Sequence, residues 1–213
     1  EEYYSCQYVL RGHDDGISSL AWDPLGKKLA TCALDGSLFV WDALTATELG
    51  RAKKQKFTNI LCVKWSPDGK MLVTGSQENH VDVWDASKYP ILHMCSWSGH
   101  SAWVESVDWS SDGEYIVSAS RDCSTMLWEA SSLRSQNQAM EAQVVDGHTA
   151  DISCVKYAPD GLSLATGSYD GTVIIWECTK HPFEIKFSFH AAIDGISSIS
   201  FSFDSKRLVV GGK

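Results

Sequence analysis

A histidine, a hydroxyl residue and an aspartate recur three times along the chain at fixed spacing, and a tryptophan follows each set. The sets, which we call tetrads, are His13, Thr31, Asp35 and Trp41; His100, Ser118, Asp122 and Trp128; and His148, Thr166, Asp170 and Trp176. Nucleophilic hydrolysis by a serine or threonine uses the first three side-chain types. Three near-identical copies would require three active sites, however, and the hydroxyls lie in apolar runs instead of a G-x-S-x-G turn. The pattern therefore favours a structural role and predicts no catalytic residue.

The spacing of the tryptophans indicates that one small unit is repeated. Trp41, Trp84, Trp128 and Trp176 recur about every 44 residues, and an acid follows each one. Each unit contains three short runs of alternating apolar and polar residues, separated by turn residues such as Pro-Asp-Gly, which is typical of β-strands. A fourth, less regular strand is expected after each tryptophan, for example at residues 91–96 and 183–189.

The recurring G-H, Ser/Thr, Asp and Trp-Asp/Glu pattern resembles that of the WD-repeat, or G-beta-like repeat, family over essentially the whole chain. The resemblance implies an all-β fold, a β-propeller of four-stranded blades. It also implies that each tetrad forms a hydrogen-bond chain from the indole N–H through the hydroxyl and imidazole to the carboxylate. We expect one domain over residues 1–213, with repeats at about 12–55, 56–98, 99–146 and 147–189 and a partial repeat at 190–213.

Seven blades are commonest in this family, so we expect the chain to be an excerpt of a longer protein, with partial blades at both ends. Residues 3–10 are then expected to be the last strand of an earlier blade.

Two repeats depart from the pattern. In the second, Lys56 stands where the histidine belongs and Glu78 replaces the aspartate, although Thr74 and Trp84 remain. Its hydrogen-bond network is therefore predicted to be weaker. In the fifth, His190 follows a phenylalanine instead of a glycine. A polar insertion at residues 131–145 lengthens the third repeat and is predicted to be a mobile loop or a longer hairpin.

One aromatic residue ends every first strand, and we predict that these side chains pack between neighbouring sheets. They are Trp22, Trp65, Trp109, Tyr157 and Phe201.

A propeller of this family binds partners mainly through loops on its top face, where two positions per repeat often project. These positions, with one neighbour, predict a partner-binding set of Leu34, Asn59, Gln77, Trp103, Glu105, Arg121, Asp151 and Tyr169. Aromatic residues combined with arginine are typical of binding hot spots. In the alternative interpretation Trp103 folds onto its own loop.

Composition excludes several other functions. The net charge of −9 argues against nucleic acid as a partner, and no apolar run reaches the length that membrane insertion requires. The seven cysteines are spread singly, and His80, His93 and His181 lack the spacing of a metal site. We therefore predict no metal and no cofactor. Unpaired cysteines also favour a reducing compartment, the cytoplasm, with cytoskeletal or nuclear placement as alternatives.

The sequence thus predicts a scaffold or adaptor that is not an enzyme and that binds a protein or peptide within a larger complex. A cytoskeletal, microtubule- or cilium-associated component is the alternative, because residues 60–85 faintly resemble the propellers of the echinoderm microtubule-associated-like family. The basic run from Arg51 to Lys56 is either a solvated loop or a contact for an acidic partner such as tubulin.

Overall fold

The structure is a computed structural model that describes residues 6–53, 58–134, 142–179, 183–192 and 194–212. Within these ranges the chain forms eighteen β-strands and one short 3₁₀ helix, Ala130–Arg134. No described helix is long and apolar enough to cross a membrane. The all-β prediction is confirmed.

Sixteen strands form four antiparallel sheets of four strands, in which neighbours along the chain are also neighbours in the sheet. The first sheet contains β1 Ile17–Trp22, β2 Lys28–Ala33, β3 Ser37–Asp42 and β4 Glu48–Lys53. The second contains β5 Ile60–Trp65, β6 Met71–Ser76, β7 His80–Asp85 and β8 Leu92–Ser98. The third contains β9 Val104–Trp109, β10 Tyr115–Ser120, β11 Ser124–Glu129 and β12 Gln143–Asp146. The fourth contains β13 Ile152–Tyr157, β14 Ser163–Ser168, β15 Thr172–Glu177 and β16 Glu184–His190. The last two strands, β17 Ile196–Phe201 and β18 Leu208–Gly212, form a two-stranded sheet.

Turn chemistry fixes where the hairpins fold back. Between β5 and β6 the Gly69 N–H donates to the Ser66 carbonyl at 2.9 Å, and the Ser66 hydroxyl donates to Asp68 Oδ1 at 2.7 Å. Gly69 has φ +67°, a conformation that costs glycine little and other residues more. The turns between second and third strands need the same conformation, which Gly36 and Gly171 supply.

The sheets are arranged in chain order around a common axis. The first strand of each sheet contacts the first strand of the next, from β1 through β5, β9 and β13 to β17. Side chains bridge the boundaries: the Ser18 hydroxyl donates to the Ile60 carbonyl at 2.5 Å, and the Trp65 indole N–H donates to the Ala21 carbonyl at 3.1 Å. The hydrophobic core lies in these boundaries, and each cluster draws residues from two consecutive sheets. The arrangement is that of a partial β-propeller.

The predicted packing of the aromatic series fails at its first member. Trp65, Trp109 and Tyr157 are buried and Phe201 is partly buried, but Trp22 is 56% exposed. Its neighbour Leu20 is 55% exposed, whereas Val63 at the same place in β5 is fully buried. The reason is that each aromatic is covered by the preceding sheet, and no described residue forms a sheet before β1.

One stretch differs from the predictions. Of residues 3–10, only 6–10 are described, and they form no strand, because no described strand is placed to pair with them. The insertion at 131–145 belongs to a lengthened hairpin, the second of its two predicted forms, because β11 and β12 are consecutive strands that pair antiparallel across it. It continues from the 3₁₀ helix and supplies β12, which pairs with β11 as the outer strand of the third sheet. Two of the other outer strands, β8 and β16, begin one residue later than predicted.

Candidate functional site

The tetrad of the third repeat forms a continuous hydrogen-bond chain. The Trp128 indole nitrogen lies 2.9 Å from Ser118 Oγ, which lies 2.7 Å from His100 Nε2, and His100 Nδ1 lies 2.9 Å from Asp122 Oδ2. An indole N–H can only donate, so the hydroxyl accepts from it and keeps its own proton to donate to Nε2 of a neutral imidazole. Burial lowers the pKa of His100, which favours this neutral form. Nδ1 then carries the imidazole proton and donates it to the carboxylate.

The other two tetrads follow the same path with one variation. In the fourth repeat Trp176 Nε1 lies 3.0 Å from Thr166 Oγ1, and His148 joins Thr166 at 2.8 Å and Asp170 at 3.1 Å. In the first repeat His13 is bound to Thr31 at 2.7 Å, but its Nδ1 lies 3.8 Å from the Asp35 carboxylate. There the link passes through the Ser37 hydroxyl, 2.6 Å from Nδ1, which donates to Asp35 at 2.5 Å. Trp41 completes this chain by donating to Thr31 at 2.9 Å.

Each tetrad aspartate also holds two loops together. Asp122 accepts the backbone N–H of Ser101 at 2.8 Å and of Ser124 at 2.9 Å. Burial acts to raise the pKa of Asp122, but the hydrogen bond from the Ser124 hydroxyl, together with the two backbone bonds, outweighs it and keeps the pKa below its ordinary value. The same balance lowers the pKa of Asp170 to about 2. Conversely, burial lowers the pKa of His100 and His148, which keeps both imidazoles neutral.

The hydroxyl groups of the tetrads lie too deep to attack a substrate. Ser118 and Thr166 are fully buried and Thr31 is 5% exposed. Within the described ranges, no three histidine, cysteine, aspartate or glutamate side chains lie together as a metal site would need. The geometry thus suits holding loops in place, and we retain stabilisation as the proposed role of the tetrads.

The second repeat contains a polar cluster that the sequence analysis missed. Trp84 still donates to Thr74 at 2.9 Å, whereas Lys56 lies outside the described residues and Glu78 is exposed. Directly opposite Thr74 in the sheet is Asp82, a carboxylate only 1% exposed. His93 Nε2 lies 3.1 Å from this carboxylate. The sequence does contain a signal for this cluster, which is the acid Asp82 within the apolar run of β7. The residues at the same position in the other three repeats are uncharged: Phe39, Met126 and Ile174.

The predicted partner-binding positions come together in pairs on the top face, which is formed by the loops before the first strands and the turns between the second and third strands. In each repeat the residue before the turn acid, which is Glu78 in the second repeat and an aspartate in the others, donates its backbone N–H to the carbonyl of the residue before the first strand. These bonds run from Leu34 to Gly16, Gln77 to Asn59, Arg121 to Trp103 and Tyr169 to Asp151, at 2.9–3.0 Å.

The third repeat carries the most developed side-chain cluster on this face. The guanidinium carbon of Arg121 lies 4.1 Å from the centroid of a Trp103 ring, a cation–π geometry, and Arg121 Nε donates to Glu105. Trp103 is half-buried, covered by Arg121 instead of standing free. In the next repeat Tyr169 is 54% exposed.

The remaining positions are less prominent. Asn59 donates a side-chain N–H to Gln77 Oε1 at 2.8 Å, so these two amides pair with each other. Leu34 and Asp151 are partly buried. The structure therefore distinguishes an amide pair in the second repeat from an aromatic and charged surface across the third and fourth.

Comparison with known proteins agrees with this architecture. The family model described as WD domain, G-beta repeat matches residues 4–42, 52–85, 92–129 and 140–177.

Similarity to individual proteins extends over single repeats. The chain is 45% identical over 42 residues to Protein HIRA homolog from Drosophila melanogaster, a match to 20% of this chain and 4% of that protein. It is 47% identical over 45 residues to Probable cytosolic iron-sulfur protein assembly protein 1 from Phaeosphaeria nodorum, covering 21% and 10%. It is 45% identical over 40 residues to Ribosome biogenesis protein WDR12 homolog from Chlamydomonas reinhardtii, covering 18% and 9%.

These matches span no more than about a tenth of each relative. The family model, in contrast, matches well over half of the chain, and each of its four matches ends with the third strand of one of the four-stranded sheets. The chain therefore belongs to the WD40 family.

Proposed function

We propose that this protein is a non-catalytic scaffold that binds a protein or peptide segment on its top face. The observation that carries the proposal is the cluster of Trp103, Arg121 and Glu105, with Tyr169 exposed on the neighbouring repeat. Membership of the WD40 family supports the general role of a protein-interaction scaffold. The position of the binding surface is our inference from the side chains.

The cluster has the properties of a preorganised binding surface. Stacking on Trp103 and the bond to Glu105 hold the Arg121 side chain in one place, so less side-chain entropy is lost when a partner binds. Its remaining N–H groups can still bind a carboxylate or a backbone carbonyl. Tyr169 offers an amphipathic ring at the same level of the fold. Aromatic and arginine side chains dominate the binding energy of many interfaces.

The test uses affinity purification of the full-length protein with mass spectrometry, followed by the double variant W103A/R121A. We expect recovery of the main partner to fall about tenfold or more. The matched control is L162A, because Leu162 is 52% exposed in a hairpin turn at the opposite end of the strands. If the double variant recovers as much partner as the control, the top face is not the binding surface.

The cytoskeletal alternative gains no support from the described part of the basic run. Arg51 Nε lies 3.1 Å from Glu48, and Lys53 Nζ lies 3.7 Å from Asp14, so both cations already face acids. Microtubule co-sedimentation tests the alternative directly: a pellet fraction that rises with tubulin concentration would favour it over the scaffold proposal.

We place this function in the cytoplasm or the nucleus. The supporting observation is that all seven cysteines are free, three of them buried. Fluorescence microscopy of the tagged full-length protein checks this placement.

A further inference from the structure

The first strands of three consecutive sheets place ionisable side chains at one level of the fold. The residue directly before the aromatic that ends the first strand is Lys64 in β5, Asp108 in β9 and Lys156 in β13. Because β9 contacts both β5 and β13, these three residues are neighbours. The corresponding residues of β1 and β17 are the uncharged Ala21 and Ser200. The group therefore contains two basic side chains and one acidic side chain.

Asp108 is engaged with β13. Its Oδ2 atom accepts the backbone N–H of Tyr157 at 3.0 Å and lies 3.8 Å from Lys156 Nζ. The second distance exceeds that of a hydrogen bond, so Lys156 and Asp108 form a loose ion pair. The side chain of Lys156 is 28% exposed and that of Asp108 is 15% exposed, so the pair is recessed but open to small solutes.

Lys64 adds a second amine to this pair. Lys64 and Lys156 interact directly, through charge and through a side-chain hydrogen bond, while Asp108 attracts Lys64 through charge. A hydrogen bond between two amines requires that one of them is neutral, because an ammonium group has no acceptor. Burial and the charge of Lys156 lower the pKa of Lys64 to about 8. The single carboxylate therefore compensates one ammonium group but not two.

Other ionisable groups nearby do not supply the second negative charge. The Cys62 thiol lies close to Lys64, but burial raises its pKa and keeps it neutral. Glu105, which also lies on β9, accepts a hydrogen bond from Arg121 Nε on the top face. Within the described ranges, Lys64 forms no ion pair with a carboxylate, whereas Lys156 pairs with Asp108. One positive charge of the group is thus available to a ligand.

We propose that Lys64 and Lys156 together bind a small oxyanion of the phosphate class. The anion lies between the two ammonium groups and accepts hydrogen bonds from both, which a tetrahedral anion with four oxygens can do at once. Asp108 repels the anion and limits its affinity. The anion must be small, because the three side chains are recessed on the innermost strands.

This site is distinct from the partner-binding surface proposed above. The top face is formed by the loops that precede the first strands, whereas Lys64 and Lys156 each occupy the fifth of the six positions of their strands. The two sites therefore lie toward opposite ends of the first strands.

Equilibrium dialysis of the full-length protein against radiolabelled sulfate tests the proposal. Sulfate is the probe because it stays a dianion between pH 7 and pH 9, so that a change in its binding reports on the protein. We expect one site per chain with an affinity of about millimolar or tighter at pH 7 and constant ionic strength. Unlabelled inorganic phosphate should displace the sulfate, and chloride at the same concentration should not.

Variants then separate this site from general charge. K64M and K156M should each weaken sulfate binding about tenfold, because each removes a hydrogen bond to a charged group. D108N should strengthen sulfate binding about threefold, since asparagine can still accept the Tyr157 N–H but does not repel the anion. The matched control K27M removes an exposed lysine in the turn between β1 and β2 and should bind as the parent protein does.

Sulfate affinity should also depend on pH through Lys64. With a pKa of about 8, the charged share of Lys64 falls from about nine-tenths at pH 7 to about one-tenth at pH 9. Because the anion binds the charged form, the apparent affinity of the parent protein should fall by up to about tenfold over this range. K64M lacks the titrating amine and should change by less than about twofold.

Four results would each overturn the proposal. These are the absence of sulfate binding at millimolar concentration, equal affinities of K64M and K27M, weaker binding in D108N, and displacement by chloride as effective as displacement by phosphate. The last result would mean an adventitious ion only. If K64M does not fold, as judged by its thermal unfolding, K64Q replaces it with the same expected loss.

Discussion

Replacing His148 with alanine should destabilise the protein by an amount that depends on pH in a calculable way. The imidazole is fully buried and joins Thr166 to Asp170. After truncation the Thr166 hydroxyl still accepts from Trp176 but loses the acceptor for its own proton. An unsatisfied buried group of this kind costs about 1–3 kcal/mol, and we expect that loss in the free energy of unfolding at pH 7.5.

At pH 5 the cost should be smaller. Burial lowers the pKa of folded His148 below the 6.5 of the unfolded chain. As the pH falls below 6.5 the unfolded state takes up a proton that the folded state does not, so the parent chain loses stability. If the folded imidazole stays neutral, this loss reaches about 2 kcal/mol at pH 5. The variant has no such group. The difference between parent and variant should therefore shrink by up to about 2 kcal/mol.

Other titrating groups do not obscure this comparison. His13 and His100 are present in both proteins, so their contributions cancel. Asp170 has a pKa of about 2 and remains charged at both pH values. Its contribution to stability is present above pH 3.8 and is lost only as the pH falls from there through 2.

Urea denaturation of parent and H148A at pH 7.5 and pH 5 measures the effect, with the slope m checked for constancy. The control is I174V, because Ile174 is 3% exposed and faces Thr166 across the sheet but does not titrate. It should cost about 0.5–1.5 kcal/mol at both pH values. A cost of H148A that is equal at the two pH values, or larger at pH 5, would refute the neutral, structural imidazole.

Two further substitutions test single contacts. Cys123 has φ +68° at a turn where two other repeats use glycine, so C123G should raise the free energy of unfolding by about 0.5–1 kcal/mol. C123A keeps the strained backbone and should change the free energy of unfolding little. Urea denaturation of the two variants checks this prediction. W65F should lower the free energy of unfolding by about 1 kcal/mol, because it removes the hydrogen bond from the indole N–H to the Ala21 carbonyl. W22F, at an exposed position, should leave the melting curve unchanged. Equal effects of the two variants in thermal unfolding would contradict the inter-sheet role of Trp65.

Most of the fold could be predicted because the same pattern of strands and turns recurs in successive repeats. Strand alternation is ambiguous in a single run of six residues, but the same alternation around the same turn residues in successive units leaves little ambiguity. The outer strands were placed less well. β12 was hidden inside the polar insertion, because an outer strand makes fewer buried contacts and so carries a weaker apolar pattern.

Burial could not be predicted from the repeat alone. Trp22 and Trp65 occupy the same position in their units, yet one is exposed and the other is buried. The difference arises because burial at this position depends on the preceding sheet and not on the unit itself. Side-chain contacts outside the recurring motif could not be predicted either: the stacking of Arg121 on Trp103 joins residues 18 positions apart, and no repeated pattern marks this pair.

Departures from the repeat are more informative about binding than the repeat itself. Positions that recur, such as the tetrad hydroxyls, are buried in every unit where they occur, and their hydrogen bonds are made within the protein, where they hold loops in place. Positions that vary on an otherwise constant framework are free to meet a partner. Lys28 and Met71 illustrate this variation, because the same register position carries a lysine packed against aromatic rings in the first sheet and a methionine in the second. A repeat protein therefore distributes specificity over the positions that distinguish its units.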